Sequence, residues 1–131
     1  MSPHLPLGAE AEAFLAENHQ CTLTTLRPDG TPHVAPVRFT WDGETGTVRV
    51  MTTVSRRKVR NILAGEESPV AVCQSAGPRW ITLEGLATVS TDPARVGEGI
   101  RRYTERYWSP PPRFPGLAVV EIVVERVMGL Y

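Results

Sequence analysis

The run from Leu117 to Met128, Leu-Ala-Val-Val-Glu-Ile-Val-Val-Glu-Arg-Val-Met, constrains the fold more than any other part of the chain. Six of its twelve residues are β-branched. Such side chains lose rotamer freedom in a helix and pack well on a pleated surface. A single strand of this length buries nothing alone, so it needs partners, and the rest of the chain supplies them. Cys21–Leu26 alternates as a strand, and Arg27-Pro28-Asp29-Gly30 turns it. His33–Trp41 resumes as a strand, Asp42–Gly46 turns again, and Thr47–Thr53 runs back. Pro69–Gln74 and Trp80–Ser90 are two more strands, with Gly85 a candidate bulge.

Helical spacing appears in three places. Ala9–Asn18 carries Ala11, Phe14 and Leu15 on one face. Arg56–Leu63 follows Ser55 as an N-cap and stops at Gly65. Asp92 and Pro93 open a third helix that runs to about Tyr107, with Val96, Ile100, Tyr103 and Tyr107 on one face. Trp108–Gly116 holds four prolines and is irregular. The expectation is a mainly β protein, a six-stranded antiparallel barrel with two or three short helices, forming one domain over residues 1–131. A barrel this small is filled by its own side chains, so a large ligand sits outside it or between subunits.

Composition removes several function classes. Fourteen Lys+Arg against fourteen Asp+Glu leave no net charge, so the basic footprint of a nucleic-acid binder is missing. No apolar run reaches the ~18 residues of a membrane span, and the first residues lack the layout of a secretory signal. A cytoplasmic location with no membrane partner is expected. The two cysteines, Cys21 and Cys73, read as inert thiols in apolar strands. The chain contains no GxSxG, HExxH, CxxC or GxxxxGK. His4, His19 and His33 are scattered, so no metal site is expected.

Chemistry concentrates in Met51-Thr52-Thr53-Val54-Ser55-Arg56-Arg57-Lys58-Val59-Arg60-Asn61. A strand ends in two hydroxyl residues, and a helix opens with four cations, including the only lysine among fourteen basic residues. Free N–H groups at a helix start favour an anion, whereas cations there oppose the dipole unless an anion binds. The residues themselves support two readings: an anion pocket, or a solvated basic helix face.

The same segment resembles the phosphate-gripping stretch of the pyridoxamine-phosphate-oxidase-like, FMN-binding split β-barrel flavoproteins. The opening hairpin from Leu23 to Val34 and the stretch Arg79-Trp80-Ile81-Thr82-Leu83-Glu84-Gly85 are similar to that family as well. Within it the chain looks most like the branch that uses the deazaflavin coenzyme F420, and like its biliverdin-reductase-like members. Arg102–Tyr107, the proline loop and Val120-Glu121-Ile122 carry the last likeness.

The resemblance implies a homodimer with the cofactor between subunits. Thr53, Ser55, Arg56, Lys58 and Asn61 would hold the cofactor phosphate, with either Arg56 or Arg57 facing it. Pro36, Val37, Arg38 and Phe39 would line the ring, with Met51 and Thr52 beside it. Gln74 would reach the cofactor, and Pro78, Arg79 and Trp80 would cross the subunit interface. Packing alone is the competing reading for Phe39, Met51 and Trp80. FMN and F420 share a tricyclic ring and a ribityl phosphate, so F420 is preferred on the subgroup likeness. Arg49, Arg60 and Arg79 are the spare cations for its acidic tail.

The implied activity is hydride transfer from reduced F420 to a conjugated organic acceptor such as biliverdin. No residue stands out as the catalytic acid or base; Arg38 and Arg79 are candidates for stabilising an anion. The alternatives are an FMN-dependent oxidoreductase of the same family and a non-catalytic binder of F420, flavin or a haem-like ligand.

Overall fold

The computed structural model describes residues 7–65 and 67–131, so His4 lies outside the described residues. Ten elements follow in order: α1 (Ala9–Ala16), β1 (Cys21–Leu26), β2 (Pro32–Val37), β3 (Phe39–Asp42), β4 (Thr47–Thr53), α2 (Arg57–Ala64), β5 (Pro69–Ala76), β6 (Arg79–Ser90), α3 (Pro93–Tyr107) and β7 (Leu117–Leu130). The strands form one antiparallel sheet in the order β2-β1-β5-β6-β7-β4-β3, curled into a half-barrel.

Seven strands are present where six were expected, because His33–Trp41 divides at Arg38. Val37 pairs with Cys21 of β1, whereas Phe39 pairs with Val50 of β4. One continuous stretch therefore supplies both outer strands of the sheet, and Arg38 is the hinge between them. Pro32 and Pro36 lie on β2, where a missing N–H is tolerated at an edge.

β7 lies between β6 and β4 and reaches Leu130, two residues beyond the expected end. The bulge falls at the glycine anticipated for it, with the β6–β7 register shifting between Glu84 and Gly85. A Cβ on Gly85 would collide with the Val123 carbonyl, so only glycine fits there.

Alternating residues face inward. Leu23, Phe39, Val48, Val72, Ile81, Leu83, Val120 and Ile122 are fully buried. Phe14 and Leu15 of α1, with Val59 and Ile62 of α2, join this core. Helices of eight residues are marginal in isolation, so burial of these pairs, worth about 1.5–3 kcal/mol per side chain, is what holds them.

The helix caps differ from one another. Asp92 accepts a hydrogen bond from the Arg95 N–H at 3.2 Å, as the Asp-Pro pair implied. Ser55 does not cap α2. Thr53 accepts from the Arg56 N–H at 3.2 Å, closing a turn that makes Arg56 the cap residue and starts the helix one position later. Among the described residues no helix is long and apolar enough to cross a membrane.

Candidate functional site

Where the hinge stretch passes the end of β4, the sheet opens into a cleft of about 470 Å³. Ala35, Pro36, Val37 and Arg38 form one wall and Met51, Thr52 and Thr53 another. Arg56 and Lys58 enter from the start of α2, Tyr103 comes from α3, and Pro111, Pro112 and Phe114 of the proline loop close the side. A second concavity, about 410 Å³, lies over β1, β5, β6 and β7 and carries its own carboxylates, Glu84 and Glu125.

The first cleft differs in charge. Arg38, Arg56 and Lys58 line it, and its wall contains no aspartate or glutamate. Among the described residues none of these three cations is in an ion pair, whereas Arg49, Arg79, Arg95, Arg101, Arg102 and Arg126 all are. Lys58 is half-buried, and loss of water around it, reinforced by the Arg56 charge, pulls its pKa below the ordinary lysine value. A desolvated cation without a counter-charge is unfavourable unless an anion completes the site. The residues present fit a cofactor phosphate at this end. Arg56 and Arg57 are both exposed, but only Arg56 belongs to the cleft wall.

Several expected site residues lie elsewhere. Phe39 is fully buried in the core, and its carbonyl accepts from Tyr107 Oη at 2.7 Å and from Arg106. Gln74 is also fully buried; its amide donates to the Phe14 carbonyl at 2.7 Å and accepts from Arg106. Asn61 faces β1 and donates to Thr25 Oγ1 at 2.9 Å, away from the cleft. Ser55 sits beside Thr53, with the two hydroxyl oxygens 3.4 Å apart, and is exposed.

Arg79 is not a spare cation. It forms a two-pronged pair with Glu17 at 2.9 and 3.0 Å and lies 4.4 Å over the Phe14 ring. Arg49 is likewise committed, to Asp42 at 3.1 Å. Pro78 and Trp80 flank Arg79 on the exposed β5–β6 hairpin, outside the cleft of this chain. Cys21 is buried, and desolvation pushes its thiol up to about 11, as an inert thiol requires; Cys73 is only half-buried. Among the described residues no group of three His, Cys, Asp or Glu side chains comes together to hold a metal.

Sequence reasoning missed Gln20, Ala35, Tyr103, Pro111, Pro112, Phe114 and Leu117 in the cleft wall. Tyr103 was placed on the apolar face of α3, which is correct, but that face also meets the cleft. Gly99, one turn earlier, brings α3 close to β4, since a Cβ there would overlap Met51 Sδ. Proline density was the available signal for the loop: four rings in nine residues can hold a stiff wall without secondary structure.

Comparison with known proteins fits this geometry. The chain is 42% identical over 123 residues to the F420H2-dependent biliverdin reductase of Mycobacterium tuberculosis, covering 94% of this chain and 88% of the relative. A solved F420 reductase superposes with a TM-score of 0.72 at 29% identity, covering 95% of this chain and 98% of its own. A conserved hypothetical protein of Mycobacterium tuberculosis shares the fold at a TM-score of 0.78 and 21% identity, over 98% of this chain and 87% of its own. Residues 7–131 match the pyridoxamine 5'-phosphate oxidase family over almost the whole chain, and the protein belongs to that family.

Proposed function

We propose that this protein is an oxidoreductase that uses reduced coenzyme F420 to reduce a conjugated organic acceptor, with biliverdin the first acceptor to test. The observation that carries the reading is the cleft with three uncompensated cations and no carboxylate in its wall. The likeness to the biliverdin reductase and the F420 reductase supports the choice of cofactor. When bound, the deazaflavin supplies a hydride. Arg56 and Lys58 hold its phosphate. Thr52 and Thr53, both buried at the end of β4, offer hydroxyls beside it. Pro36, Val37 and Met51 give the ring an apolar wall, and Arg38, with no carboxylate partner among the described residues, can meet a substrate carboxylate or a developing anion.

A homodimer belongs to the same proposal. Trp80, Val123, Met128 and Leu130 are 37%, 50%, 39% and 66% exposed along β6 and β7, and a second copy would cover them. Pro78 and Trp80 would then complete the partner's cleft, while Arg79 remains tied to its own Glu17. Location in the cytoplasm is part of this reading.

Separate fluorescence titrations with F420 and FMN, followed by anaerobic mixing of reduced F420 with biliverdin, test the reading. Expected are F420 binding at least tenfold tighter than FMN and oxidation of reduced F420 that depends on biliverdin. Equal or tighter FMN binding points to the flavin enzyme, and saturable F420 binding without oxidation points to a carrier. Sedimentation of a monomer that binds F420 at full affinity would remove the dimer.

A further inference from the structure

Two tyrosines stack on consecutive turns of α3, with ring centroids 4.9 Å apart, and their hydroxyls are used differently. Tyr107 is buried outside the cleft and its O–H donates a hydrogen bond to the Phe39 carbonyl at 2.7 Å. Desolvation raises its pKa, so that proton is firmly held. Tyr103 forms part of the cleft wall, and its oxygen accepts from Arg38 Nη1 at 3.4 Å. Among the described residues no acceptor takes the Tyr103 proton. Arg38 is in turn steadied over the Tyr107 ring at 5.1 Å. The arrangement presents one phenolic O–H to the cleft, with a permanent cation behind its oxygen.

We propose that Tyr103 is the proton donor of the reduction and that Arg38 stabilises the phenolate left behind. The proposal rests on the hydride-transfer reading above. The hydride forms a C–H bond at one end of the acceptor's conjugated system, and the electron pair moves to the nitrogen or oxygen at the other end. That heteroatom takes the Tyr103 proton. Arg38, which cannot itself serve as an acid, holds the resulting phenolate until water reprotonates it. The acceptor gains one hydride and one proton, and the reduced deazaflavin supplies both electrons. The other readily ionised donor in the cleft, Lys58, lies at the start of α2 among the phosphate-binding residues.

The test compares wild type with Tyr103→Phe, which keeps the ring and its packing. The readouts are melting temperature, F420 affinity by fluorescence, biliverdin affinity of the cofactor-free protein by absorbance, and the rate and solvent deuterium isotope effect of single-turnover oxidation of reduced F420. In the variant, F420 affinity should stay within twofold, biliverdin affinity should fall several-fold, and the rate should fall about 100-fold with loss of the isotope effect. An unchanged rate and isotope effect in the variant would overturn the assignment. So would F420 affinity and melting temperature falling in step with the rate, because that marks a packing role. Absence of a solvent isotope effect in wild type overturns it without any variant. A wild-type protein that does not oxidise reduced F420 at all sinks the underlying reading, and the wild-type arm alone reveals that.

Discussion

Arg106 and Lys58 are both cations drawn partly out of water, and their surroundings are opposite. Arg106, near the end of α3, donates to the Glu17 carbonyl at 3.0 and 2.8 Å, to the Phe39 carbonyl and to Gln74 Oε1. Its guanidinium also lies against the Phe39 and Tyr107 rings. Four of its five N–H donors are met by neutral oxygens of this chain, and it joins the end of α1 to β3, β5 and α3. Lys58 has no such set among the described residues. An internal cation that has acceptors of its own serves the fold, whereas one left without them, like Lys58, is a candidate for binding an anion.

Removing each cation should break the molecule in a different way. Arg106→Met takes their donor from the Glu17 carbonyl and Gln74 Oε1 and leaves the Phe39 carbonyl to Tyr107 alone, at a cost of about 3 kcal/mol. That corresponds to a melting temperature lower by roughly 10 °C. The fraction that remains folded should bind F420 normally, which calorimetry combined with thermal melting would show. A variant that melts normally but binds poorly would move Arg106 into the site and erase the contrast.

Lys58→Met should do the reverse. It removes a charge-assisted contact while keeping the stem, so F420 affinity should fall about 10–100-fold. The fold should be as stable as before or slightly more so, because a poorly solvated charge beside Arg56 is gone. Unchanged affinity together with reduced melting would make Lys58 a structural cation like Arg106. A smaller effect separates the two arginines at the start of α2. Arg56→Ala should weaken F420 binding about tenfold, and Arg57→Ala by no more than about twofold, since Arg57 lies outside the cleft wall. Equal losses would mean that the anion is held by the general field of the helix.

The smallest effect concerns acid. Hydrogen bonds from Arg79 and then His19 hold the Glu17 carboxyl down to about 2 from its ordinary 4.5. A depressed carboxyl stabilises the fold fully above pH 4.5, and the benefit is lost as pH falls toward 2. Glu17→Gln should flatten this part of the melting temperature against pH profile, while F420 affinity at neutral pH stays the same. The pair is surface-exposed, so the change should be only a degree or two.

How much of this was legible depended on whether a feature is local. β1 and β4 match their expected limits, because each is set by alternation within a segment and a turn beside it. The Asp92 cap and the Gly85 bulge were likewise local. The hinge at Arg38 was not visible, because His-Val-Ala-Pro-Val-Arg-Phe-Thr-Trp favours extended backbone throughout. Only the choice of partner, Cys21 for Val37 and Val50 for Phe39, divides it. The site followed the same rule. Arg56 and Lys58 stood out as charges at a helix start, but Phe39, Gln74 and Asn61 were expected only on the family resemblance. Their side chains are buried against Thr25, the Phe14 carbonyl and the core instead of lining the cleft, a matter that tertiary packing decides.

Gly99 has a consequence for how such an enzyme can be retuned. A methyl group there would press on Met51 from behind, and Met51 forms part of the cleft wall. The thioether is flexible enough to yield, so the substitution would reshape the apolar wall without touching any ligand. Tyr103, one turn along the same helix, would shift with it. A single added carbon at a position remote from solvent would thus reshape the wall proposed for the deazaflavin ring while Arg56 and Lys58, at the start of α2, stay untouched.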